Sequence, residues 1–597
     1  MPTPTSPAPH RRYVAVALAM VAAHVAFRAW VVLGAWFYVD DYRLVDEAGT
    51  ASLADRLLAP YDAQLMPWGR LLAWVGAQPE TLSWPLLALT SLLTATVAAL
   101  ACLWCLVTLF GWRRRTLAVL ALYLTTAMTV PAYVWWAAAL NQVPLQAVFF
   151  VAVAAWVRYL RGEGRRWLAV VALSLAFGLC CYVKALLVFP TLAFVAVAFF
   201  ATGGPVRRVV TIVRRHWPVV VVAVAGGAGY LAYYLANVPQ ISDSGAPEAA
   251  GDLAQEMVGS TFASGLLGGP WRWDEQIAPV AQADPPQALV TLCWVVVALV
   301  VGYLALRRER TLRAWLFLTA YVGADYLLLL TTRAQVVGAI SGNEYRYLTD
   351  AMCAVVLALG LATMELRGAE ESSRERDEPL LTRRIGTVPV AVALLVVCAG
   401  GVWSTASYAR VWHDRNPGKE FFTTALADLE GQDRVDLANQ MLSQRVTGAL
   451  DPVYGSSRGT LPLLSEAARF PDVSDDLHVL APDGSVVPAS VDPTTTTTPG
   501  PLAGCGWSLP KEHTLPLEAR TFERDWWLRV DYLASADSGL SVTAGDTTRV
   551  ANLRRGLHQV YVRVDGTFDE IEVGGTDDGV TVCIDRVVVG TVQEEGQ

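Results

Sequence analysis

Charged side chains are scarce in this chain of 597 residues, of which 17% are Asp, Glu, Lys or Arg and 54% are hydrophobic. A soluble domain carries about 25% charged residues, so the composition argues against a soluble globular protein. The chain has no long basic tract, which argues against binding to nucleic acid. It does not contain two CxxC motifs at the spacing of a zinc site, so a zinc ribbon is not expected. It also has no glycine-rich phosphate-binding motif, so a nucleotide-binding fold is not expected.

Lysine is almost absent, because only three of the 46 basic residues are lysines, namely Lys184, Lys419 and Lys511. The preference for arginine, together with abundant alanine and valine, is typical of a GC-rich bacterial genome. Seven of the nine cysteines lie in apolar runs, where a free cysteine behaves as a small hydrophobic residue. The other two, Cys505 and Cys583, lie in the polar C-terminal part and predict one disulfide in an exported domain.

Charge is distributed unevenly along the chain. Residues 406–597 contain 16 basic and 29 acidic residues, a net charge of −13, whereas residues 1–405 contain 30 and 25, a net charge of +5. The sequence therefore predicts a mildly basic membrane part followed by an acidic soluble part.

Long apolar runs dominate the membrane part, and a bilayer core about 30 Å thick needs about 20 apolar residues per helix. We expect about eleven transmembrane helices. Their approximate ranges are 13–36, 84–110, 117–137, 143–160, 167–181, 185–201, 218–235, 288–306, 312–331, 347–366 and 388–405. The predicted fold class is a polytopic α-helical membrane protein followed by an exported domain.

The connections between these helices alternate in arginine content. The arginine-rich ones lie near residues 11–12, 113–115, 158–166, 207–215, 307–313 and 367–384. The positive-inside rule places them, and the N-terminus, in the cytoplasm. An odd number of helices then places residues 406–597 outside the cell or in the periplasm. The first helix is too long for a cleaved signal peptide, so a multi-pass protein of the plasma membrane is expected.

The apolar stretch 167–201 is too long for one ordinary span. We interpret it as two short helices that meet on the outer side at Lys184, because a lysine at the bilayer centre costs about 3 kcal/mol. The outer connections would then include a turn at Asn141, a turn at Tyr182 and the loop 238–287.

Two adjacent carboxylates, Asp40 and Asp41, follow the first predicted helix and are flanked by aromatic residues. At a membrane interface, desolvation raises the pKa of a carboxyl group and can hold a general base near neutral pH. The alternative is that this pair merely begins a solvated loop.

Other polar and aromatic residues fall on the same predicted outer face. They are Trp135, Trp136, Asn141, Gln142, Tyr182, Lys184, Trp271, Trp273, Arg333, Glu344 and Arg346. Arginine holds phosphate oxygens through a bidentate fork, and lysine acts as a point charge. This set suits a ligand with a phosphate, a sugar and a lipid tail. The alternatives are an interfacial belt for the tryptophans and snorkelling for the cations.

Three motifs occur in a fixed order: Asp40-Asp41 directly after the first helix, Lys184 between two short helices and followed by Pro190, and Arg346-Tyr347 at the entry to a late helix. With these motifs, residues 10–405 resemble the C-type integral membrane glycosyltransferases, which use sugars carried on polyprenyl phosphate. The resemblance implies a GT-C-like helical bundle.

The resemblance also implies roles for individual residues. Asp40 would deprotonate a hydroxyl of the acceptor, which attacks the anomeric carbon of the donor sugar. Asp41 would orient the base or help Asp40 to hold a divalent cation, Mg²⁺ or Mn²⁺. Lys184 and Arg346, with Arg333, would neutralise the departing lipid phosphate.

The implied partners are a polyprenyl-phosphate sugar donor, an envelope glycan acceptor and membrane lipids. Contacts with the sugar or the acceptor are expected from Trp135, Trp136, Asn141, Gln142, Tyr182, Trp271, Trp273 and Glu344. If this assignment is right, Asp40, Lys184 and Arg346 should converge on one cavity.

The exported part is predicted in three pieces. Residues 406–492 have helical periodicity and indicate an α or α/β segment, and the Pro/Thr-rich residues 493–504 indicate a linker. Residues 505–597 contain short runs of period two, typical of an antiparallel β-sandwich.

This last piece resembles the jelly-roll, carbohydrate-binding-module-like C-terminal modules of actinobacterial cell-wall arabinosyltransferases. The resemblance implies that Cys505 and Cys583 join its first and last strands. Trp507, Trp526 and Trp527 either form a platform for stacking on sugars or fill the core.

Two other functions fit part of the sequence. Asp325 lies within an apolar helix, and a transporter or flippase of lipid-linked glycans would use such an ionisable group. A non-catalytic protein of envelope assembly would depend on the exported domain instead. His24 and Arg28 share one face of the first helix, and Arg28 is expected to snorkel or to pair with a lipid phosphate.

Overall fold

The computed structural model describes residues 7–239, 250–276, 278–448, 451–509 and 512–595. The chain divides into two compact units, the first reaching Asn416 and the second beginning at Pro417, with residues 80–82 belonging to the second. Part of the predicted outer loop 238–287, namely residues 240–249 and 277, lies outside the described residues.

The first unit is built almost entirely of helices. In chain order they are α1 (Pro7–Leu33), α2 (Asp40–Gly49), α3 (Leu53–Leu57), α4 (Pro67–Gly76), α5 (Trp84–Phe110), α6 (Arg114–Thr125), α7 (Val130–Val134), α8 (Trp136–Leu160), α9 (Arg166–Cys181), α10 (Val188–Phe199), α11 (Pro205–Asn237), α12 (Ala250–Ala254), α13 (Ala263–Leu266), α14 (Gln287–Arg307), α15 (Thr311–Leu330), α16 (Ala334–Val337), α17 (Ala351–Thr363) and α18 (Thr387–Asp414). Shorter elements are the 3₁₀ turns Val183–Leu187, Ala339–Asn343 and Tyr345–Leu348, the π-helical turn Gln255–Phe262, and the paired strands β1 (Trp273–Asp274) and β2 (Gln282–Ala283).

Seven helical segments of the described chain are long and apolar enough to cross a membrane. They lie in α1, α5, α8, α11, α14, α15 and the segment that begins at Thr387. Three shorter apolar helices occupy Arg166–Cys181, Val183–Phe199 and Ala351–Thr363. Apolar helices therefore lie at ten of the eleven predicted spans, and the first unit is a multi-pass helical membrane unit.

The remaining predicted span, 117–137, is wrong as a continuous helix, because the chain breaks between α6 and α7. A residue of α1 meets the end of α6 there: Nδ1 of His24 lies 2.7 Å from the carbonyl oxygen of Leu124. Lipid offers no hydrogen bonds, so a helix break at this depth needs partners from the protein.

Arg28, one turn further along α1, supplies the other partners of this break. Its Nη2 atom donates to the Thr129 hydroxyl at 2.6 Å and to the Thr126 carbonyl at 3.4 Å. Arg28 is only 4% exposed. The expectation that Arg28 snorkels or pairs with a lipid phosphate is therefore wrong, because its guanidinium lies inside the bundle.

The expected turn at Asn141 is also absent. Helix α8 begins at Trp136 instead of near residue 143 and runs to Leu160. Asn141 and Gln142 thus lie in its second turn, and both are buried. This longer helix carries the two amides into the bundle, close to the start of α2.

The second unit contains three helices and the remaining strands. The helices are α19 (Pro417–Leu429), α20 (Gln444–Thr447) and α21 (Ser457–Leu464). The strands are β3 (Val435–Leu437), β4 (Ala468–Arg469), β5 (Val473–Ser474), β6 (Leu477–Leu480), β7 (Val486–Thr496), β8 (Trp507–Leu509), β9 (His513–Pro516), β10 (Asp525–Ala534), β11 (Ser538–Ala544), β12 (Thr547–Leu553), β13 (Gly556–Asp565), β14 (Glu570–Gly574) and β15 (Val582–Glu594).

These strands form two sheets. The larger has nine strands in the order β4-β3-β6-β7-β15-β10-β13-β5, with β8 also paired to β15, and the smaller has four in the order β12-β11-β14-β9. Strand β3 lies parallel to β4 and β6, whereas the other pairs are antiparallel. The unit is a β-sandwich extended by an α/β segment.

Side chains alternate between two cores along strand β10. Trp526 packs between the two sheets, with 1% of its surface exposed, and Trp527 packs on the opposite face of the larger sheet, with 6% exposed. Trp507 is half-buried against the first core. The interpretation that Trp526 and Trp527 form a sugar-stacking platform is wrong, because both are core residues.

The predicted linker 493–504 is wrong in its first part. Residues 493–496 belong to β7, which pairs with β15 from Ala489 to Thr496. The predicted boundary at residue 492 therefore falls inside a strand. Cys505, just before β8, and Cys583, in β15, form a disulfide with an S–S distance of 2.05 Å.

We expect the substitution Gly401→Ala to destabilise the first unit. A Cβ atom at Gly401 of α18 would overlap the backbone carbonyl oxygen of Thr125, at the end of α6. Such overpacking costs about 1–3 kcal/mol, which thermal unfolding in detergent measures as a lower melting temperature. In the control Gly229→Ala, no atom lies within 4 Å of the new Cβ. Equal melting temperatures for the two variants would contradict the close packing of α6 and α18.

Candidate active site

Backbone strain is concentrated around Asp40, at the start of α2. Val39 has a φ of 45°, a left-handed conformation that costs a β-branched residue about 1–3 kcal/mol. In the neighbouring loop, Asp62 and Ala63 follow Tyr61 with φ values of 43° and 58°. Five non-glycine residues of the described chain have a positive φ, and three of them, Val39, Asp62 and Ala63, adjoin Asp40 or its partner Tyr61. Strain of this kind clusters at functional sites.

The Asp40 carboxylate is bound through one oxygen and free at the other. Oδ1 accepts a hydrogen bond from the Tyr61 hydroxyl at 2.8 Å, while Oδ2 makes none with the described residues. Burial is the largest influence on the pKa of Asp40 and raises it, and the nearby Asp62 adds to the rise. The hydrogen bond from Tyr61 and the charges of Arg346 and Arg333 lower the pKa, but a net rise remains. A carboxylate with a raised pKa and a free oxygen has the properties of a general base.

Arg70 of α4 holds Tyr61 in place. Its guanidinium lies over the Tyr61 ring, 5.2 Å from the ring centre, and donates to the Pro60 carbonyl at 3.2 Å. The same side chain is 2% exposed and binds the Glu47 carboxylate at 2.9 Å. This brace fixes the loop that presents the Tyr61 hydroxyl to Asp40.

Asp41 is fully buried and uses both of its oxygens. Oδ2 accepts from the backbone N–H of Tyr38 at 2.9 Å, and Oδ1 accepts from that of Ala137 at 2.8 Å. Ala137 lies in the first turn of α8, where backbone N–H groups have no partner within the helix. Asp41 therefore joins the start of α2 to the start of α8 and fixes the backbone that carries Asp40.

Arg346 is a fixed cation beside Asp40. It forms an ion pair with Glu344 and lies over the rings of Trp135 and Tyr347, 4.6 and 4.9 Å from their centres. Burial acts to lower the pKa of Arg346, but Glu344, Tyr347 and Asp40 outweigh it and raise the pKa above its ordinary value. Arg346 therefore stays protonated.

Arg333 approaches Asp40 from a different loop. It forms an ion pair with Asp62, and its charge also lowers the pKa of Asp40. The two predicted phosphate-binding arginines, Arg333 and Arg346, thus act on the same carboxylate.

Two amide side chains of α8 extend this polar region. Nδ2 of Asn141 donates to Oε1 of Gln64 at 2.5 Å, and Gln64 exchanges two backbone hydrogen bonds of 2.8 Å with Tyr61. Nε2 of Gln142 donates to the Tyr182 hydroxyl at 3.4 Å. Oδ1 of Asn141 and Oε1 of Gln142 are buried and unpartnered among the described residues. Buried free acceptors are costly unless a ligand brings donors, and sugar hydroxyls are suitable donors.

Lys184 is bound on all sides, unlike the lysine expected from the sequence. Its Nζ lies 2.8 Å from Oδ1 of Asp325, 2.9 Å from Oδ1 of Asp350 and 2.9 Å from the Tyr347 carbonyl oxygen. The ammonium group donates to Asp350 and to the Tyr347 carbonyl and is paired with Asp325, so its charge is already neutralised within the protein. The expected convergence of Asp40, Lys184 and Arg346 is therefore found only in part: Arg346 lowers the pKa of Asp40, whereas Lys184 holds the backbone next to Arg346.

Asp325 has a structural explanation in the same cluster. It lies in α15 and pairs with Lys184, while Asp350, just before α17, also accepts from the Tyr321 hydroxyl at 3.0 Å. The cluster ties α15 to the turns before α10 and α17. An ionisable group in this apolar helix thus has a partner within the protein, which removes the observation that favoured a transporter.

The predicted tryptophan contacts occupy different environments. Trp135 is half-buried and meets Arg346, whereas Trp136 is fully buried and donates to the Thr90 hydroxyl at 3.0 Å. Trp273 is 8% exposed and donates to the Ser404 carbonyl at 2.9 Å.

Two of these tryptophans are therefore unsuited to the sugar contacts expected of them. Trp136 and Trp273 are packed against protein, whereas Trp271, whose backbone N–H donates to the Ser404 hydroxyl at 3.1 Å, is half-buried. Only Trp135 of the four contacts a residue that acts on Asp40.

The donors present do not fit the expected divalent cation. Asp41 has both oxygens on backbone N–H groups, and Asp62 and Glu344 are paired with arginines. Within the described ranges, no group of three or more His, Cys, Asp or Glu residues is placed to hold a metal ion. Mg²⁺ is bound through several oxygens, and here Asp40 contributes one free oxygen.

Two important residues were not identified from the sequence, Tyr61 and Asp350. A single sequence gives no signal for Tyr61, because its partner Asp40 is 21 residues away in an irregular loop. Asp350 had a signal: a lysine between apolar helices requires an acidic partner, and Asp350 is one of few carboxylates next to an apolar run.

Comparisons with known proteins give distant likenesses only. No family model and no curated protein matches the chain. Among solved structures, the arabinofuranosyltransferase AftD from Mycobacteria is 11% identical with a TM-score of 0.38, over 98% of this chain and 60% of that one. A mutant AftD is 11% identical with a TM-score of 0.35, over 98% of this chain and 62% of that one.

A third solved structure is that of ArnT from Cupriavidus metallidurans bound to undecaprenyl phosphate, 10% identical with a TM-score of 0.30, over 72% of this chain and 83% of that one. The present chain spans about 60% of the length of AftD. With TM-scores below 0.5, these likenesses are too distant to assign an activity.

We expect Asp41→Asn to destabilise the protein more than Asp40→Asn does. An amide at residue 41 keeps one acceptor and places an NH₂ group against a backbone N–H, which leaves a buried donor unsatisfied at a cost of about 1–3 kcal/mol. Asp40→Asn keeps the oxygen that accepts from Tyr61 and serves as the control. Melting temperatures in detergent measure the difference, and a larger loss in Asp40→Asn would refute the structural role of Asp41.

Proposed function

We propose that the protein is an integral membrane glycosyltransferase that takes a hexose or pentose from a polyprenyl-phosphate donor. The observation that carries this proposal is the Asp40 carboxylate, which has one free oxygen and a raised pKa and is acted on by the two cations Arg333 and Arg346. This combination provides a base for an acceptor hydroxyl and positive charge for a phosphate leaving group.

The reaction proposed is a single displacement at the anomeric carbon. Oδ2 of Asp40 takes the proton of the acceptor hydroxyl, and the hydroxyl oxygen forms a bond to the anomeric carbon. The bond between that carbon and the phosphate oxygen breaks, and the lipid phosphate leaves with the electron pair. Arg346 and Arg333 stabilise the negative charge that develops on the phosphate.

Hydroxyl groups of the bound sugar find acceptors in α8. Oδ1 of Asn141 and Oε1 of Gln142 are buried and unpartnered among the described residues, and Gln64 links Asn141 to the loop of Tyr61. These two amides are the proposed sugar contacts because each has a free acceptor oxygen, whereas the ring N–H groups of Trp136 and Trp273 are already bound to protein.

An apolar cavity in the helical unit suits the lipid part of the donor. Its volume is about 1020 Å³, and its walls include Trp294, Trp315, Leu318 and Val355. Two of the helices that line it are α15, which ends three residues before Arg333, and α17, which begins five residues after Arg346. The same helices thus provide walls for an isoprenoid chain and carry the loops for its phosphate.

The site is proposed to face the outside of the cell, with the N-terminus in the cytoplasm. This orientation follows from the arginine-rich connections at the opposite helix ends. The acceptor is proposed to be a glycan of the cell envelope, and the β-sandwich of the second unit to be a carbohydrate-binding module. Such enzymes take the donor from the outer leaflet and need no nucleotide site.

We expect Asp40→Asn to reduce transfer by about 10²–10⁴-fold without loss of folded protein, because an amide cannot accept the proton. The measurement is transfer from a panel of polyprenyl-phosphate sugars by the purified protein. Because the pKa of Asp40 is raised, kcat/KM of the wild type should fall as the pH drops through a midpoint above about 4, the usual value for Asp. Full activity in Asp40→Asn would rule out the assignment.

We expect Lys184→Met to lower stability, because it leaves the carboxylates of Asp325 and Asp350 buried without a cation, at a cost of about 3–5 kcal/mol. Adding Asp325→Asn and Asp350→Asn should restore part of the melting temperature. A lysine that binds the donor phosphate instead would give Lys184→Met a normal melting temperature and a raised KM for the donor. Arg346→Gln is the comparison, since we expect it to raise that KM and lower kcat.

A further inference from the structure

Arg28 is a buried cation without an anionic partner. It lies in α1 five residues before the helix ends at Leu33, and 4% of its surface is exposed. Its contacts are the Thr129 hydroxyl, the Thr126 carbonyl and the ring of Tyr133, whose centre is 5.1 Å away. Among the described residues, it forms no ion pair with Asp or Glu, and its Nη1 atom has no hydrogen-bond partner.

Three other buried cations of the helical unit are neutralised by carboxylates, whereas buried Arg307 donates to three backbone carbonyls. Lys184 is paired with Asp325 and Asp350, Arg70 with Glu47, and Arg208 with Glu371. A charge in a membrane-spanning segment costs several kcal/mol unless it is compensated. Arg28 therefore differs from Lys184, Arg70 and Arg208, because no carboxylate among the described residues neutralises its charge.

A small cavity lies beside Arg28, with a volume of about 20 Å³. Its polar lining consists of His24, Arg28, Tyr123, Thr129, Tyr133 and Gln146. A volume of about 10–15 Å³ is enough for one water molecule, so this cavity has room for a single water or a monatomic ion.

We propose that this cavity binds one small monovalent anion, with chloride as its ordinary occupant. A halide would accept a hydrogen bond from Nη1 of Arg28 and would also neutralise the guanidinium, whereas water would satisfy the donor and leave the charge. The anion would thereby stabilise the break between α6 and α7, where Arg28 binds Thr126 and Thr129. This site lies apart from Asp40 and does not depend on the proposed transferase activity.

The first test measures the melting temperature of the full-length protein in detergent at constant ionic strength while chloride replaces gluconate. Gluconate is too large for the cavity. A chloride site raises the melting temperature by about 2 °C between 1 and 100 mM chloride, following the linkage between binding and stability. No difference between chloride and gluconate would overturn the proposal.

Variants separate a specific site from a general salt effect. Arg28→Met should lose the chloride response, whereas Arg272→Met should keep it, because Arg272 is exposed and paired with Asp284. If Arg28→Met does not fold, crystals of the wild type grown with bromide decide the question. An anomalous peak beside Nη1 of Arg28 supports the site, and density without anomalous signal identifies water and refutes it.

Discussion

The position of the candidate base depends on the hydrogen bonds of one buried carboxylate, that of Asp41. It accepts backbone N–H groups from Tyr38 and from Ala137, which is 96 residues away along the chain. Leaving either of these buried donors unsatisfied would cost about 1–3 kcal/mol, which is comparable with the strain of Val39. Because Asp41 joins α2 to α8, it fixes the backbone of Asp40, the carboxylate on which Arg346 and Arg333 act.

Ionisable side chains around the candidate site have two different roles: some fix backbone, and one keeps an oxygen free. Both oxygens of Asp41 accept backbone N–H groups and Lys184 donates to the Tyr347 carbonyl, so these two residues fix backbone, whereas Asp40 keeps one oxygen free. The turn that carries Arg346 is held from behind by Lys184, through the Tyr347 carbonyl. Arg346, which acts on Asp40, is thus held in place by a residue that is itself bound to protein.

The sequence predicted features that are local and missed those that join distant segments. The apolar runs predict ten of the helices and the position of Asp40 just after the first one. A membrane span is long compared with the uncertainty of a few residues at each of its ends, so such predictions are robust. The break between α6 and α7 lies in apolar sequence, and its partners, which include His24 and Arg28 of α1 and Thr349, come from distant segments. The sequence predicts that Lys184 binds a phosphate, because no acidic partner lies near it in the chain. Its partners are two aspartates on segments up to 166 residues away. Strand β12 gives a weak signal in the sequence, because exposed side chains alternate with half-buried ones and only Ala551 and Leu553 are buried.

The nine-stranded sheet has a consequence for how the second unit can be divided. Strand β7, from the α/β segment, and strand β10, from the sandwich, lie on either side of β15, near the end of the chain. Separating the segments at the Pro/Thr-rich stretch would expose the unpaired edge of β15 and uncover Trp527 and Tyr561 of the second core. The two segments therefore form a single cooperative folding unit that is completed only when β15 has been synthesised.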